Sequence, residues 1–435
     1  MKTPSQNNPT KNSDQNKFKI FIWTLYDFAN TSYSIVVVTF IFAVYFKSTI
    51  AEGESIGDLY WSFGISISML ITALIAPVLG AISDYSAGKK RFLLLFTLMC
   101  IIPTSLLYFT GTGDIYIALI LFIIANIGFE AGLVFYDSFL PDITNIKSYG
   151  RVSGYGFAMG YLGSLVVLAI SFPFIQNEMI KETFPLAAFF FLVFSIPLFL
   201  FLNDTRKNII PQKSYFKIGL DRVYTTITHL KEYKNLTLFL LAFFFYIEGV
   251  NTVIFFAGNY ASTTLNFSME DLILFFIIVQ TTAIFGSVIF GVISDSIGQK
   301  KAISISLFIW IFTVILAYYT SSPENLIIVE LSSATGLHST ELMIKSFYVV
   351  GLLAGSVMGA TQSTSRSLMS RLTPPDKKTE FFGFYSLFGK SSAIVGPLVF
   401  GFVSFLSGNQ RFAILSVGIF FIIGLILLKF VKENP

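Results

Sequence analysis

Apolar runs long enough to cross a bilayer recur twelve times along this chain, and that recurrence limits the fold more than any other feature. They fall near 20–46, 60–82, 92–111, 115–138, 151–172 and 184–202, then near 236–262, 271–293, 302–320, 346–370, 381–406 and 411–431. A helix needs about 20 apolar residues to span the hydrocarbon core, and it bonds its own backbone there without water. The expected class is therefore an all-α polytopic membrane protein, with twelve transmembrane helices in two pseudo-symmetric six-helix bundles. Composition agrees, because 12% of residues are charged where a soluble domain carries about 25%.

The polar segment 203–235 divides the runs into six and six. The expected units are a tail (1–19), a bundle (20–202), a linker (203–235) and a second bundle (236–435). The first 19 residues lack a short apolar core followed by a small-residue cleavage site, so the first run reads as an uncleaved helix. Alternate loops on one side hold 24 of the 29 Lys and Arg residues. The opposite loops hold only Lys47, Lys181, Lys345 and Arg411, and Lys390 lies inside the eleventh run. The positive-inside rule then puts both termini in the cytoplasm, in a multi-pass protein of the cell (inner) membrane. Segment 321–345, on the outer side, has the pattern of a short surface helix.

The two halves repeat one another. "GAISDYSAGKKR" (80–91) follows the second run and "GVISDSIGQKK" (291–301) follows the eighth. Each reads Gly, three residues, Asp, a turn with Gly, then basic residues. Asp27-x-x-Asn30-Thr31 is echoed by Glu248-x-x-Asn251-Thr252, and Asn126-x-x-x-Glu130 by Gln362-x-x-x-Arg366. The offsets are 211 (80 to 291), 221 (27 to 248) and 236 (126 to 362) residues, as a duplicated six-helix unit requires. Gly80 and Gly291 remove bulk where a helix end must approach a neighbour. Asp84 and Asp295 can accept bonds from a helix N-terminus or pair with a cation, and Lys89, Lys90 and Arg91 suit the headgroups.

The paired Gly-x-x-x-Asp loops on a 6 + 6 chain resemble the major facilitator superfamily. "WTLYDFANTSYS", "FYDSFLPDI" and "GATQSTSRSLMSRLTP" are similar to the subgroup that holds the autophagy-related vacuolar amino-acid effluxers and their bacterial relatives. The resemblance implies a secondary transporter working by alternating access, with amino acids as candidate cargo. Import or exchange of a peptide, sugar derivative or drug-like solute stays open, as does a non-transporting receptor or scaffold. The resemblance also implies gating roles for Gly80, Asp84, Arg91, Gly291 and Asp295. It further implies that the first, fourth, seventh and tenth helices surround a central cavity.

Those four helices carry the intramembrane polar groups. Asp27, Asn30 and Ser34 share one helical face, as do Asn126 and Glu130, Glu248 and Asn251, and Gln362 and Arg366. A charge at the centre of a spanning helix costs about 2.5–3.5 kcal/mol, which favours placement in a wet cavity or beside a partner. Asp27, Asn30, Asn126, Glu130, Glu248, Asn251, Gln362 and Lys390 are therefore expected along the pathway of a substrate or proton. The alternative for Asp27 is a satisfied structural group that bridges helices or caps a kink.

Two contacts follow. Glu248 and Lys390 lie at similar depth, so they are expected to form an ion pair. The duplication puts Arg366 at the depth of Glu130, so Arg366 is expected to meet Glu130 or Asp137 when the cavity opens outward. The alternative is that Arg366 only reaches the headgroups. The chain has no HExxH, no G-x-S-x-G, no ATP-binding motif and a single cysteine, Cys100. His229 and His338 both fall in predicted loops, so no metal cluster, cofactor or enzyme activity is expected. The expected partners are a small-molecule substrate, the lipid bilayer and a coupling proton, with no nucleic acid, in a monomer.

Overall fold

The computed structural model describes residues 9–53, 55–204 and 214–433. The first eight residues of the expected tail, and residues 205–213 of the expected linker, lie outside the described residues. Among the described residues every regular element is helical, and twelve helices are long and apolar enough to span a membrane. In the first half these are α1 (Asn16–Ile50), α2 (Ile56–Tyr85), α3 (Lys89–Phe109), α4 (Ile115–Ile143), α5 (Ile146–Gln176) and α6 (Thr183–Phe201). In the second they are α7 (Lys234–Thr264), α8 (Glu270–Ile297), α9 (Gln299–Thr320), α10 (Ser339–Leu372), α11 (Lys378–Ser407) and α12 (Gln410–Lys429). Among the described residues there are also a separate linker helix, Tyr215–Thr228, and a short helix between α9 and α10, Leu326–Thr335.

Within each half the helices pack mainly on one another. The halves meet along two seams, α11 against α2 and α4, and α5 against α8 and α10. Both seams are made close by glycine. A Cβ on Gly383 would lie 2.5 Å from Pro77 Cα, and one on Gly291 would lie 2.7 Å from the Gly150 carbonyl. Neither backbone has room for it. Gly355 and Gly359 of α10 press in the same way on Val279 and Ala283 of α8, inside the second half.

The chain is regularly α-helical from Pro9, ahead of α1, to Tyr33 within it, and the helix then widens. The Phe40 N–H donates to the Ile35 carbonyl five residues back, at 3.1 Å. The widened stretch is Ser34-Ile35-Val36-Val37-Val38-Thr39. Its run of β-branched side chains crowds the preceding turn, which favours a wider local winding. The wide turn begins seven residues after Asp27, at Ser34.

The start of α1 and the end of α12 lie on one face, the termini face, with the ends of α2, α4, α8 and α10. The basic residues there are structural as well as topological. Lys89 was expected at the headgroups, but it is buried and donates to the Ser138 carbonyl (2.7 Å) and to Asp142 (2.6 Å). At the start of α3 the Lys90 backbone N–H donates to the Asp204 carboxylate, just past α6 (2.9 Å). Glu433, just past α12, accepts from the backbone N–H groups of Gln299 and Lys300 at the start of α9 (2.9 Å each). The same cap is thus built twice, as the duplication requires.

Candidate functional site

The Gly-x-x-x-Asp loops close the face that carries the termini. Asp84, at the end of α2, accepts from the backbone N–H of Thr379 (3.1 Å) and Glu380 (2.8 Å), in the first turn of α11. Asp295, at the end of α8, accepts from the N–H of Gly150 (2.8 Å) and Arg151 (3.2 Å), in the first turn of α5. Each carboxylate satisfies amides that have no partner within their own helix, and it sits at the positive end of that helix. Both bonds cross from one half to the other. Gly80 is needed for the first, since a Cβ there would collide with the Thr379 carbonyl. Arg151 also gives Asp295 an ion pair at 2.7 Å. Arg91 is exposed and takes no part in these contacts.

Deeper in the membrane, Arg366 of α10 joins three helices of the opposite half. Its Nε donates to Ser153 Oγ (2.9 Å) and its Nη2 to the Ser153 carbonyl (2.8 Å), both on α5. Its Nη1 donates to Asp137 of α4 (2.9 Å) and Asp27 of α1 (3.3 Å). The guanidinium carbon lies 4.8 Å from the Trp23 ring centre, 5.7 Å from that of Tyr136 and 4.3 Å from that of Phe157. The side chain is 2% exposed, so it does not reach the headgroups. Gly156 makes the space, because a Cβ there would lie 2.6 Å from Arg366 Nη2 and 2.8 Å from Asp27 Oδ2. One guanidinium with two carboxylates and a carbonyl in a dry site is strongly held, and removing it would strand both acids.

Lys390 does not pair with Glu248. It crosses to the first half and forms an ion pair with Glu130 of α4. Glu248 instead accepts from the Gly396 N–H of α11, one residue before Pro397. The reason is rotational. Lys390 and Gly396 are six residues apart, which is ~9 Å along the helix and about 240° around it. Depth made the pair plausible, but the face of α11 that meets Glu248 is not the face that carries Lys390. Glu248 is fully buried, and its second carboxylate oxygen has no hydrogen-bond partner among the described residues.

The other expected residues divide into two groups. Asn30 donates to Asp27 (3.4 Å) and so belongs to the Arg366 cluster. Asn251 reaches Ser392 of α11 (3.4 Å), and Gln362 is partly exposed one turn from Arg366. Asn126 is fully buried, donating to Ser68 of α2 (2.7 Å) and accepting from Tyr33 of α1 (3.4 Å). It holds the first bundle together and stands apart from the cluster.

Sequence reading did not single out Trp23, Ser153, Asp142, Lys378 or Glu380. Asp142 pairs with Lys378 of the other half (2.7 Å), adding a third bond across the termini face. Buried Glu380 is held by Arg222 (3.3 Å) and Thr226 of the linker helix. Comparing the two halves would have revealed Asp204 and Glu433. No internal repeat marks Ser153.

A transporter of the major facilitator type shows this arrangement, and comparison with known proteins agrees. The profile described as "Vacuole effluxer Atg22 like" matches residues 60–434. The chain belongs to this family. It is 32% identical to the uncharacterized MFS-type transporter YxiO of Bacillus subtilis, over 95% of this chain and 94% of that protein. Autophagy-related protein 22 of Kluyveromyces lactis is 24% identical, over 84% of this chain and 77% of that protein. Among solved structures, the proton:xylose symporter XylE aligns with a TM-score of 0.72 at 15% identity, covering 97% of each chain. Family and fold are those of a multi-pass membrane transporter for small molecules, not of an enzyme.

Proposed function

We propose that this member of the Atg22-like family moves its solute by alternating access, that amino acids leaving the cytoplasm are its first candidate cargo, and that the conformation described is the one closed on the cytoplasmic side. The distribution of Lys and Arg supports cytoplasmic termini, and the bacterial relative supports a cell membrane. The observation that carries the reading is Arg366, a buried cation on one half whose polar partners all lie on the other. Such a cluster holds the halves together in one state and must be dismantled in the next, so it biases the equilibrium without a change of fold. Asp27, Glu130 and Glu248 are the candidate proton carriers, and a monomer is sufficient for the cycle.

The reading is tested with purified protein in proteoliposomes preloaded with one unlabelled amino acid at a time. Labelled amino acid outside should enter by exchange, with saturation, for at least one cargo. A companion thermal-shift screen should find the same compound, since a ligand at 100 times its Kd stabilises by about 2.7 kcal/mol. Failure of every amino acid in both assays would remove them as cargo and turn the search to peptides, sugar derivatives and drug-like solutes.

A further inference from the structure

We propose that the linker helix Tyr215–Thr228 is an interfacial helix. One side is docked on the gate, and a second side is buried in the lipid leaflet on the termini face. At about 100° per residue, its side chains sort onto three sides rather than two. Gly219, Arg222 and Thr226 form the docked side. A Cβ on Gly219 would lie 2.8 Å from Ile82 and 2.9 Å from the Val78 carbonyl of α2, while Arg222 and Thr226 hold Glu380 of α11.

Phe216, Leu220, Tyr224 and Ile227 form the second side, and they are 62%, 45%, 70% and 49% exposed. Spaced by four, four and three residues, they make one stripe lying about 120° around from the docked side. Lys217, Asp221 and Thr228 form the third side, roughly another 90° on, and all three are exposed. A helix that meets protein, lipid and water at once needs this three-way division, with its apolar stripe beside the docked side rather than opposite it.

The surface of α2 indicates which occupant covers the stripe. Ile67, Leu70 and Leu74 form an exposed apolar row on this membrane-spanning helix, and the next position in that row is Val78. Val78 is where Gly219 docks. The linker helix therefore sits where the lipid-facing row of α2 ends, and its stripe continues that apolar surface. Helices of this kind lie about 5–10 Å into the boundary between headgroups and acyl chains. The same helix holds Glu380, whose backbone N–H is bonded by Asp84, so seating it in lipid steadies the closed gate.

The test uses full-length Cys100→Ser protein in phosphatidylcholine vesicles containing doxyl-labelled lipid. Single cysteines at Phe216, Leu220 or Tyr224, and at Lys217 or Thr228 for comparison, carry an environment-sensitive fluorophore. Quenching at the first three positions should exceed that at the other two at least about three-fold, and a shallow doxyl group should quench more than a deep one. Equal quenching at all five positions, or quenching of the stripe by aqueous iodide, would overturn the proposal. Cross-linking between chains through Tyr224→Cys without lipid quenching would also overturn it and would assign the stripe to a second copy of this chain.

Discussion

Replacing Arg366 with alanine should release the termini face. The guanidinium makes two bonds to Ser153 (2.9 and 2.8 Å) and one each to Asp137 (2.9 Å) and Asp27 (3.3 Å), and it lies against three aromatic rings. Removing one partner of a buried charged cluster costs about 3–5 kcal/mol, because the remaining charges lose their compensation. In the state where the halves part on this face those contacts are already gone, so the loss falls on the closed state alone. A loss of ~3 kcal/mol is a factor of about 160 in the equilibrium, enough to take a 99:1 preference for the closed state slightly past equality. Ser138→Cys, in a Cys100→Ser background, is a suitable reporter. Ser138 is fully buried and faces Thr379 across the two halves (3.4 Å). Its labelling by an impermeant maleimide from the termini side should rise about 50-fold as the open fraction grows from about one per cent to about half. Arg366→Lys should fall between wild type and alanine, since a lysine keeps the charge but not the fork. Unchanged labelling in a folded Arg366→Ala protein would refute the latch.

Asp84→Asn and Asp295→Asn should each raise Ser138→Cys labelling several-fold, because a lost helix cap costs about 0.5–2 kcal/mol. The double variant should exceed either single one, and no change in any of the three would remove the caps from the gate. For the second ion pair, Lys390→Met should destabilise more than the double variant Lys390→Met with Glu130→Gln, measured as thermal midpoint in detergent. A double-mutant cycle should give a coupling of about 0.5–3 kcal/mol between Lys390 and Glu130 and much less between Lys390 and Glu248; the reverse result would restore the pair expected from depth. Gly80→Ala puts a Cβ onto the Thr379 carbonyl, so it should disfavour the closed state while leaving each half folded. Its signature would be faster termini-side labelling with no loss of helicity, and a fall in helicity would contradict it.

The architecture was readable because a bilayer leaves a chain few choices. Twelve apolar runs must be twelve helices or nothing, internal repetition adds a two-fold relation, and the Lys/Arg bias adds an expected orientation. The repeat set Arg366 at the depth of Glu130, with Asp137 two turns nearer the termini face as the second candidate; in the structure Arg366 meets Asp137, while Glu130 takes Lys390. It did not give rotation about the helix axis, which is why Lys390 was matched to Glu248 instead of Glu130. Contacts between halves are the least legible. Asp27 and Arg366 are 339 residues apart, and no local pattern ties them. Ser153 binds the guanidinium through both a hydroxyl and a carbonyl, and any residue can supply a carbonyl. The paired caps by Asp204 and Glu433 were legible in principle, as acids just past the last apolar run of each half.

The most direct test of two halves that part and close around these contacts is a distance measured between them. Spin labels at Lys147→Cys and Lys301→Cys, both exposed on the termini face and on opposite halves, suit pulsed electron resonance in reconstituted Cys100→Ser protein. Alternating access predicts a dominant short distance and a minor longer one, with the longer population growing strongly in Arg366→Ala. A single distance, unmoved by Arg366→Ala and by the Asp84→Asn, Asp295→Asn pair, would contradict it.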